Sequence, residues 1–424
     1  MTAALPAAVG FDYREGQLFC EELPVVDLAE RFGTPLYIYS RVAISAAYGS
    51  YADALAGRRS LVCYAMKANS NLAVLNVLAR LGAGFDIVSA GELARVLAAG
   101  GDPGKVVFSG VGKTDAEIAL ALESSILCFN IESAGELERI DRMARRLGRK
   151  ARISIRVNPD VDARTHPYIS TGLKDNKFGV STEETLLLYR RAAEKNGLEI
   201  AGIDCHIGSQ ITELDPYLDA ADRVLDLVGA IENAGIRLHH IDFGGGLGIR
   251  YQTEAPPASG ALVTALLRKL DTRGLGDRTV MFEPGRSIVG NAGILVTRVE
   301  YLKHGATRNF AVVDAAMNDL LRPTLYDAWM GVVPVVPGAA TAQTYDIVGP
   351  ICESGDWLAH DRQLAISPGN LLAITSAGAY SMAMSSNYNT RPRAAEVMVD
   401  GNRAYCVRRR ETVTELFAGE STLP

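Results

Sequence analysis

The sequence FDIVSAGEL at Phe85–Leu93 recurs as FNIESAGEL at Phe129–Leu137. Each copy is a short apolar run followed by a serine, with a glutamate three residues after the serine. This pattern is typical of a strand that leads into a helix capped at its first turn. The repeat therefore predicts a fold built from strand–helix units, with two capping boxes formed by Ser89, Glu92, Ser133 and Glu136.

The same alternation of apolar runs and helical segments extends from Leu61 to Glu283. Eight apolar runs end near Lys67, Val88, Ser109, Asn130, Asn158, His206, Asp242 and Glu283. Helical periodicity occupies the intervening segments 71–81, 90–99, 115–123, 133–147, 182–195, 214–234 and 259–270. Eight alternating units in about 250 residues predict an α/β fold, a (β/α)8 barrel of the TIM type, rather than an open doubly wound sheet.

The sequence on either side of this region is typical of β structure. After Arg286, runs rich in valine, threonine and glycine alternate with turn residues at 293–299, 309–314, 342–348, 370–375 and 395–399. The first 35 residues hold short extended pieces and a short helix at 24–32. We predict a barrel domain at residues 36–285 and an all-β domain formed by residues 1–35 and 286–424.

Composition excludes several classes of protein. The 424 residues are 48% hydrophobic, carry a formal net charge of −6 and have a pI near 5.7. We expect no nucleic-acid partner and no anionic membrane partner, since basic clusters such as Arg408–Arg410 are short. No apolar run reaches the length of a membrane span, and the N-terminus lacks the pattern of a signal peptide, so we expect a cytoplasmic protein.

The cysteines and histidines give no support to a metal site. Six cysteines lie far apart with no C-x-x-C pair, which favours reduced thiols over disulfides or structural zinc. His239 and His240 are adjacent, but on a strand their side chains would point to opposite faces. We expect no metal, and most cysteines in the core.

Lys67 closes the apolar run Leu61–Met66, within the stretch YAMKAN at Tyr64–Asn69. Desolvation at the end of a buried strand favours the free amine of a lysine, the form that condenses with aldehydes and ketones. Lys67 is therefore a candidate Schiff-base residue. The alternative is a lysine that marks the exposed end of the strand and extends into water.

Polar residues close most of the predicted barrel strands, and catalytic groups of such barrels lie at the carboxyl ends of the strands. After the seventh strand, glycines 244–246 can turn backbone amides toward an anion, although a glycine run is more often a tight turn. After the eighth strand, Glu283 and Arg286 flank a Pro-Gly turn. They can bind a cationic ring nitrogen and an anion respectively, or pair with each other across the turn.

Pyridoxal phosphate requires a strand-end lysine, a phosphate-binding loop, an acid for its ring nitrogen and an aromatic ring to cover it. The motifs of this chain, taken in their order along the sequence, resemble those of the fold-type III pyridoxal phosphate decarboxylases, which share the alanine racemase fold. The resemblance extends along nearly the whole chain. The chain is most similar to the diaminopimelate decarboxylases, because His166–Gly172 followed by Lys177–Gly179 resembles their signature. The other motifs are Tyr64–Asn69, His206–Gln210, Gly244–Gly246, Glu283–Arg286 and Cys352–Asp356.

The resemblance implies a role for each residue of the site. Lys67 carries the aldehyde of pyridoxal 5'-phosphate, Glu283 keeps the pyridine nitrogen protonated, and His206 stacks on the ring. The residues implied to bind the cofactor are Lys67, Asp86, His206, Ser209, Gly245, Gly246, Glu283, Gly285, Arg286 and Tyr380. Those implied to bind a substrate with two carboxylates and a distal ammonium are Arg286, Arg322, Tyr326, Glu353 and Tyr380.

The implied reaction is decarboxylation of meso-2,6-diaminopimelate at its D-centre to L-lysine and CO2, the last step of lysine biosynthesis. Cys352 would return a proton to the α-carbon after CO2 departs, and so joins Lys67, His206 and Glu283 as an implied catalytic residue. In the family the Cys352–Glu353 segment enters the barrel of the neighbouring subunit. The resemblance therefore implies a homodimer with two shared sites.

Three alternatives stay open on the sequence alone. A related decarboxylase could act on ornithine, arginine or an amino acid held on a carrier protein, although Arg286, Arg322 and segment 166–172 favour a free substrate with a distal carboxylate. A regulatory homologue would lack the lysine or the thiol, whereas this chain has both Lys67 and Cys352. Racemases of this fold resemble a different arrangement, with a tyrosine base in place of the Cys-Glu segment.

Overall fold

The computed structural model describes residues 3–5, 8–162 and 176–424, and the chain divides into two compact units. The first unit comprises Met1–Ala46, Ile249–Glu254 and Ile288–Pro424, and the second comprises Ala47–Gly248 and Ala255–Ser287. The sequence placed the barrel domain at 36–285. Among the described residues, no helix combines the length and the apolar character that crossing a bilayer requires.

The N-terminal region forms four short strands, a helix, a longer strand and a second helix. These elements are β1 (Ala3–Ala4), β2 (Phe11–Arg14), β3 (Gln17–Cys20), β4 (Leu23–Pro24), α1 (Val25–Phe32), β5 (Leu36–Ser40) and α2 (Arg41–Ala54). Strands β1–β4 make an antiparallel sheet of their own. Helix α1 ends at Gly33, whose φ of 73° lies in the left-handed region that glycine adopts without steric cost.

Eight parallel strands follow and close into a barrel, as the alternating pattern predicted. The strands are β6 (Ser60–Ala65), β7 (Gly84–Ile87), β8 (Val106–Phe108), β9 (Cys128–Ile131), β10 (Ala151–Val157), β11 (Leu198–Cys205), β12 (His240–Asp242) and β13 (Thr279–Phe282). The helices are α3 (Leu72–Arg80), α4 (Ala90–Ala98), α5 (Asp115–Glu123), α6 (Ala134–Arg146), α7 (Thr182–Ala193), α8 (Asp215–Asn233) and α9 (Ser259–Thr272). Pairing of β13 with β6 completes the closure and confirms the (β/α)8 fold.

The rest of the chain is mostly β-sheet, which confirms that the fold combines a barrel with a β domain. Its strands are β14 (Gly293–His304), β15 (Asn309–Val313), β16 (Val332–Pro334), β17 (Gln343–Val348), β18 (Trp357–Leu364), β19 (Leu371–Ile374), β20 (Ala395–Asp400) and β21 (Arg403–Arg408). Its short helices are α10 (Arg286–Val289), α11 (Arg322–Tyr326) and α12 (Val413–Leu416).

Strand β5 belongs to this second sheet although it precedes the barrel in sequence. The sheet runs in the order β18-β17-β15-β14-β5-β20-β21, and β19 joins it by pairing with β14. Strand β5 runs antiparallel to β14 and parallel to β20. All five residues of β5 are buried, as expected for a strand in the middle of a sheet.

The predicted helix starts are confirmed at their serines. Ser89 Oγ accepts the N–H of Glu92 at 3.2 Å, which caps α4. The glutamate half of the predicted capping box is wrong by one residue, because Glu92 Oε2 accepts the N–H of Val88 at 2.6 Å rather than that of the serine. The second copy, 129–137, repeats both bonds. Each glutamate therefore fixes the turn between a barrel strand and its helix.

An apolar cluster fills part of the barrel interior. Cys63, Val107, Cys128 and Met281 are buried together, with Leu61 and Leu127 packed against them. Cys63, Val107, Cys128 and Met281 lie within their strands, whereas polar side chains come one or two residues after the strands end, at Lys67, Ser109, Asn158, His206 and Glu283. The interior therefore changes from apolar to polar along the strands, and the polar end is where barrel enzymes place their chemistry.

Candidate active site

Lys67 lies in a single helical turn, Met66–Ala68, directly after β6. Its Nζ is 3.0 Å from Oδ2 of Asp86, whose neighbour across the sheet is Ala65. The Lys67 side chain is 39% exposed, while that of Asp86 is fully buried. The Lys67 amine is therefore accessible to a ligand and is also paired with a buried carboxylate. A lysine that only extends into water would have no need of such a buried partner.

The other carboxylate oxygen of Asp86 lacks a hydrogen-bond donor within the part of the chain that the structure describes. Asp86 Oδ1 is buried and has no hydrogen-bond partner among the described residues. A buried acceptor without a donor is costly unless a ligand or a moving proton supplies one. Asp86 was predicted to bind the cofactor, and the orphaned oxygen is compatible with that prediction.

Glu283 follows β13 and is almost completely buried. Its Oε1 is 3.4 Å from Asn130 Nδ2, and Asn130 also donates to Ser109 Oγ at 3.1 Å. Burial, followed by the carboxylates of Asp86, Asp242 and Asp204, raises the pKa of Glu283 well above its usual range. A cationic partner such as a protonated ring nitrogen would reverse this penalty.

The glycine run occupies a space in which side chains would not fit. A Cβ on Gly245 would lie 2.1 Å from the Glu283 carbonyl oxygen, and a Cβ on Gly246 would lie 2.3 Å from the Gly208 carbonyl oxygen. Gly244 and Gly246 have φ of 65° and 103°. The run is thus packed tightly between its neighbours, and its backbone can approach an anion as closely as glycine allows.

His206 and Ser209 lie beside this loop. His206 Nδ1 accepts the N–H of Gly245 at 3.2 Å, so the ring carries its proton on Nε2. Burial and the charges of Arg156 and Lys67 lower the pKa of His206 well below its usual range, which keeps the ring neutral. Ser209 Oγ accepts from Arg286 Nη2 at 2.9 Å.

Arg286 and Gly285 complete the set of predicted residues in the barrel unit. Arg286 is buried at the first position of α10. A Cβ on Gly285 would lie 3.0 Å from the Ala65 carbonyl oxygen, so this glycine allows the turn to pack against the end of β6. The structure therefore brings Lys67, Asp86, His206, Ser209, Gly245, Gly246, Glu283, Gly285 and Arg286 to the carboxyl ends of the barrel strands.

The other predicted residues lie in the sheet unit. Arg322, the first residue of α11, is buried, and its guanidinium stacks 5.4 Å from the ring centre of Tyr251 and 5.5 Å from that of Tyr326. This buried cation between two aromatic rings is not a surface arginine. Tyr380 has a φ of 54°, in the left-handed region that residues other than glycine adopt infrequently.

Cys352 and Glu353 are both exposed within this unit. Tyr388 donates its hydroxyl to Glu353 Oε2 at 2.9 Å, and the Cys352 N–H donates to Asn389 Oδ1 at 3.4 Å. Four of the six cysteines are buried, as expected, and Cys406 is the other exposed one. Exposure of a Cys-Glu segment is what donation of these side chains to another subunit requires.

Arg156 and Glu132 are buried site residues that the sequence analysis missed. Glu132 accepts from Arg156 Nη1 at 3.0 Å and from the backbone of Gly179 at 2.7 Å. The Arg156 guanidinium lies 5.0 Å from the ring centre of Phe178. The signal was present, because Arg152, Ser154 and Arg156 alternate with apolar residues along β10 and so share one face.

The motif Lys177–Gly179 is therefore anchored to the barrel by Glu132 and Arg156. The preceding motif, His166–Gly172, lies outside the described residues. Its predicted part in substrate recognition stays a prediction.

Comparisons with known proteins assign the family. Residues 41–290 match the model of the pyridoxal-binding domain of pyridoxal-dependent decarboxylases. A diaminopimelate decarboxylase of Pseudomonas aeruginosa is 63% identical over 414 residues, which cover 98% of this chain and 99% of the relative. The chain belongs to the diaminopimelate decarboxylase family. The resemblance drawn from the motifs is thereby confirmed.

Solved structures of diaminopimelate decarboxylases share the fold of this chain. The Helicobacter pylori enzyme, crystallised with L-lysine, is 43% identical with a TM-score of 0.90, covering 93% of this chain and 99% of its own. The M. jannaschii enzyme, also in complex with L-lysine, is 35% identical with a TM-score of 0.94, covering 99% of both chains. The chain is therefore a pyridoxal-dependent decarboxylase of fold type III.

Proposed function

We propose that this chain removes CO2 from the D-centre of meso-2,6-diaminopimelate and releases L-lysine, the last step of lysine biosynthesis, with pyridoxal 5'-phosphate as cofactor. The observation that carries the reaction class is the accessible Lys67 amine held 3.0 Å from the buried carboxylate of Asp86 at the carboxyl end of the barrel. The substrate follows from relatives named diaminopimelate decarboxylase that match almost the whole chain.

The residues of the barrel unit fit this cofactor. The loop Gly244–Gly246 leaves no room for side chains, so its backbone can lie against a phosphate, and Ser209 and Arg286 provide polar hydrogens close to it. Lys67 would hold the aldehyde carbon covalently, and Glu283 would face the ring nitrogen. Bound there, pyridoxal phosphate supplies an electron-accepting ring that stabilises the negative charge left when CO2 departs.

Each barrel residue then has a defined task. Lys67 would supply the nucleophilic amine that holds the cofactor in the absence of substrate. Glu283, as an anion, keeps a proton on the ring nitrogen, because a carboxylate in a buried site favours a neighbouring cation. The neutral His206 ring covers the cofactor without adding charge.

Recognition of the substrate requires two anion sites and one cation site. Arg286 and Arg322 are both buried, and planar guanidinium groups bind carboxylates with paired hydrogen bonds. Tyr326 and Tyr380 add hydroxyl groups, and Glu353 adds the anion for the distal ammonium. Ornithine and arginine lack the distal carboxylate, so they would make fewer charged hydrogen bonds in such a site.

Cys352 is assigned to return a proton to the α-carbon of the product. Its exposure in this chain supports a site completed by a second subunit, with Cys352 and Glu353 donated to the partner. The active unit is therefore a homodimer. The cytoplasmic location stays a prediction from the sequence.

A substrate panel tests this function. Purified protein saturated with pyridoxal phosphate is given meso-diaminopimelate, L-ornithine or L-arginine, and CO2 and the product amine are measured. We expect lysine from meso-diaminopimelate, with kcat/KM at least about 100-fold above that for the other two amino acids. Comparable turnover of ornithine or arginine would identify the related decarboxylase instead, and failure to bind the cofactor would identify a regulatory homologue.

A further inference from the structure

Tyr388 forms a hydrogen bond with Glu353, the residue proposed to bind the distal ammonium of the substrate. The Tyr388 hydroxyl donates to Glu353 Oε2 at 2.9 Å, and both side chains are exposed. This hydrogen bond and the charge of Glu353 raise the pKa of Tyr388, so the phenol keeps its proton and remains the donor. The sequence analysis assigned no task to this tyrosine.

The hydrogen bond fixes one oxygen of the Glu353 carboxylate and leaves the other available. Among the described residues, Glu353 Oε1 receives no hydrogen bond, and the side chain makes no ion pair with a lysine or arginine. An exposed glutamate otherwise samples several rotamers, which costs conformational entropy when a ligand binds. Because the donor is a neutral hydroxyl, Glu353 is oriented while its negative charge stays uncompensated.

The turn that carries Glu353 is held by a buried carboxylate. Asp356 Oδ1 accepts the N–H of Met317 at 2.7 Å, and Asp356 Oδ2 accepts the N–H of Ile351 at 2.7 Å. Thr324 Oγ1 also donates to the carbonyl of Gly355 at 2.8 Å. Backbone groups on both sides of the exposed Cys-Glu segment are therefore fixed from the interior of the sheet unit.

The turn that carries the tyrosine is held in a similar way. The N–H of Ser386 donates to the carbonyl of Asn318 at 2.9 Å, and Asn387 Nδ2 donates to Glu411 Oε2 at 2.7 Å. Asn318 directly follows Met317, to which the other turn is attached. The two turns are therefore fastened to adjacent residues of one short segment, which sets the tyrosine beside the glutamate.

We propose that Tyr388 is a positioning residue that orients Glu353 toward the distal ammonium of diaminopimelate and thereby contributes to specificity for a substrate with a second amino group. Since both turns are fixed beforehand, the carboxylate needs little further ordering when the substrate binds. Tyr388 belongs to the same sheet unit as Glu353 and accompanies it into the site. The inference rests on the proposed function and deepens it.

The first test replaces Tyr388 with phenylalanine, which removes only the hydroxyl. We expect KM for meso-diaminopimelate to rise about three- to tenfold with kcat within about twofold of the wild type, because the ammonium is bound equally in the ground and transition states. D-2-aminopimelate has both carboxylates but lacks the distal ammonium. Its inhibition constant, measured in competition with meso-diaminopimelate, should change less than about twofold.

The matched control is Tyr405→Phe, because Tyr405 lies in the same unit and is 47% exposed, as Tyr388 is. This variant should keep the wild-type KM and kcat. Equal weakening of meso-diaminopimelate and D-2-aminopimelate in Tyr388→Phe would show a general disturbance of the site and overturn the positioning role.

The second test repeats Tyr388→Phe in a Glu353→Ala background. With no carboxylate to orient, loss of the hydroxyl should change kcat/KM for meso-diaminopimelate less than about twofold. An effect as large as in the wild-type background would mean that Tyr388 acts independently of Glu353, and an unchanged KM in an active Tyr388→Phe enzyme would also overturn the inference alone. A wild type that formed no lysine would overturn the proposed function and this inference together.

Discussion

Lys67 and Asp86 form an ion pair across neighbouring barrel strands, with Nζ 3.0 Å from Oδ2. The carboxylate is fully buried and the lysine side chain is 39% exposed. The Lys67 amine is therefore held in place before any ligand binds, and an amine positioned in this way would need less ordering to act as the proposed nucleophile. The site is organised around this pair, with the glycine loop and Glu283 supplied by the last two barrel strands.

Two inactive variants should restore activity when they form mixed dimers. If Lys67 and Cys352 of one site come from different subunits, then equal mixing of Lys67→Ala and Cys352→Ala dimers, with subunit exchange, yields about one quarter of the wild-type activity. Steady-state lysine formation measures the recovery.

The matched control for this experiment combines two defects in the same barrel. Mixed dimers of Lys67→Ala and Glu283→Gln would contain a site without either substitution only if those two residues came from different chains. Both residues lie in the same barrel, so we expect no recovery of activity. Cys406→Ala, which removes the other exposed thiol, should retain full activity. No recovery in the Lys67 and Cys352 mixture would mean that each site is built from one chain.

Replacing Glu283 with glutamine should slow the chemical step while the cofactor still binds. The amide keeps the shape of the side chain but removes the negative charge that holds a proton on the ring nitrogen. Loss of one such electrostatic group lowers kcat by about 100- to 1,000-fold. Single-turnover kinetics and the absorption of the bound cofactor separate the two effects, and a kcat within threefold of the wild type would remove Glu283 from the mechanism.

The glycine loop should not tolerate a methyl group. In Gly245→Ala the new Cβ would lie 2.1 Å from the Glu283 carbonyl oxygen, so the loop must shift, at a cost of about 1–3 kcal/mol. We expect weaker cofactor binding and a lower free energy of unfolding. Gly229→Ala is the control, because this exposed position within α8 has no atom within 4 Å of the new Cβ and should gain about 1 kcal/mol.

Asp319→Asn should change the pH dependence of stability. Burial raises the pKa of Asp319 to about 7, above its value in the unfolded chain. The folded wild type therefore keeps a proton that the unfolded chain releases, so its stability falls as pH rises from about 4 to 7. An asparagine does not titrate, so the stability of the variant does not fall for this reason. The free energy of unfolding of the variant minus that of the wild type should therefore rise by about 1 kcal/mol per pH unit across this window, as measured by urea titration. A constant difference would contradict the assignment.

The barrel could be predicted because each of its elements is specified locally. Helix α5 was predicted at 115–123 and is found at Asp115–Glu123, where Thr114 and Glu117 form a capping box. Strand ends were located by the change from apolar to polar residues. In a barrel these ends converge, so a list of strand-end residues was already a list of neighbours.

Pairing between distant parts of the chain could not be predicted in the same way. Strand β5 pairs with β14 and β20, more than 250 residues away along the sequence, and no local pattern records such a partner. The buried carboxyl groups of Asp204, Asp242 and Glu283, whose oxygens lie within 4.8 Å of one another, form a cluster that was missed for a related reason. Its existence depends on the register of β11 against β12, which is a property of the closed sheet.

Lysine formation from meso-diaminopimelate by the wild type and by Lys67→Ala, each supplied with pyridoxal phosphate, tests the central claim most directly. We predict one lysine and one CO2 per substrate consumed by the wild type, and a rate lowered at least about 1,000-fold in Lys67→Ala. Lys105→Ala, which removes a half-buried lysine of the same barrel that donates to the Gly82 carbonyl, should match the wild type. A Lys67→Ala protein that formed lysine at a comparable rate, or a wild type that bound the cofactor and formed none, would contradict the account.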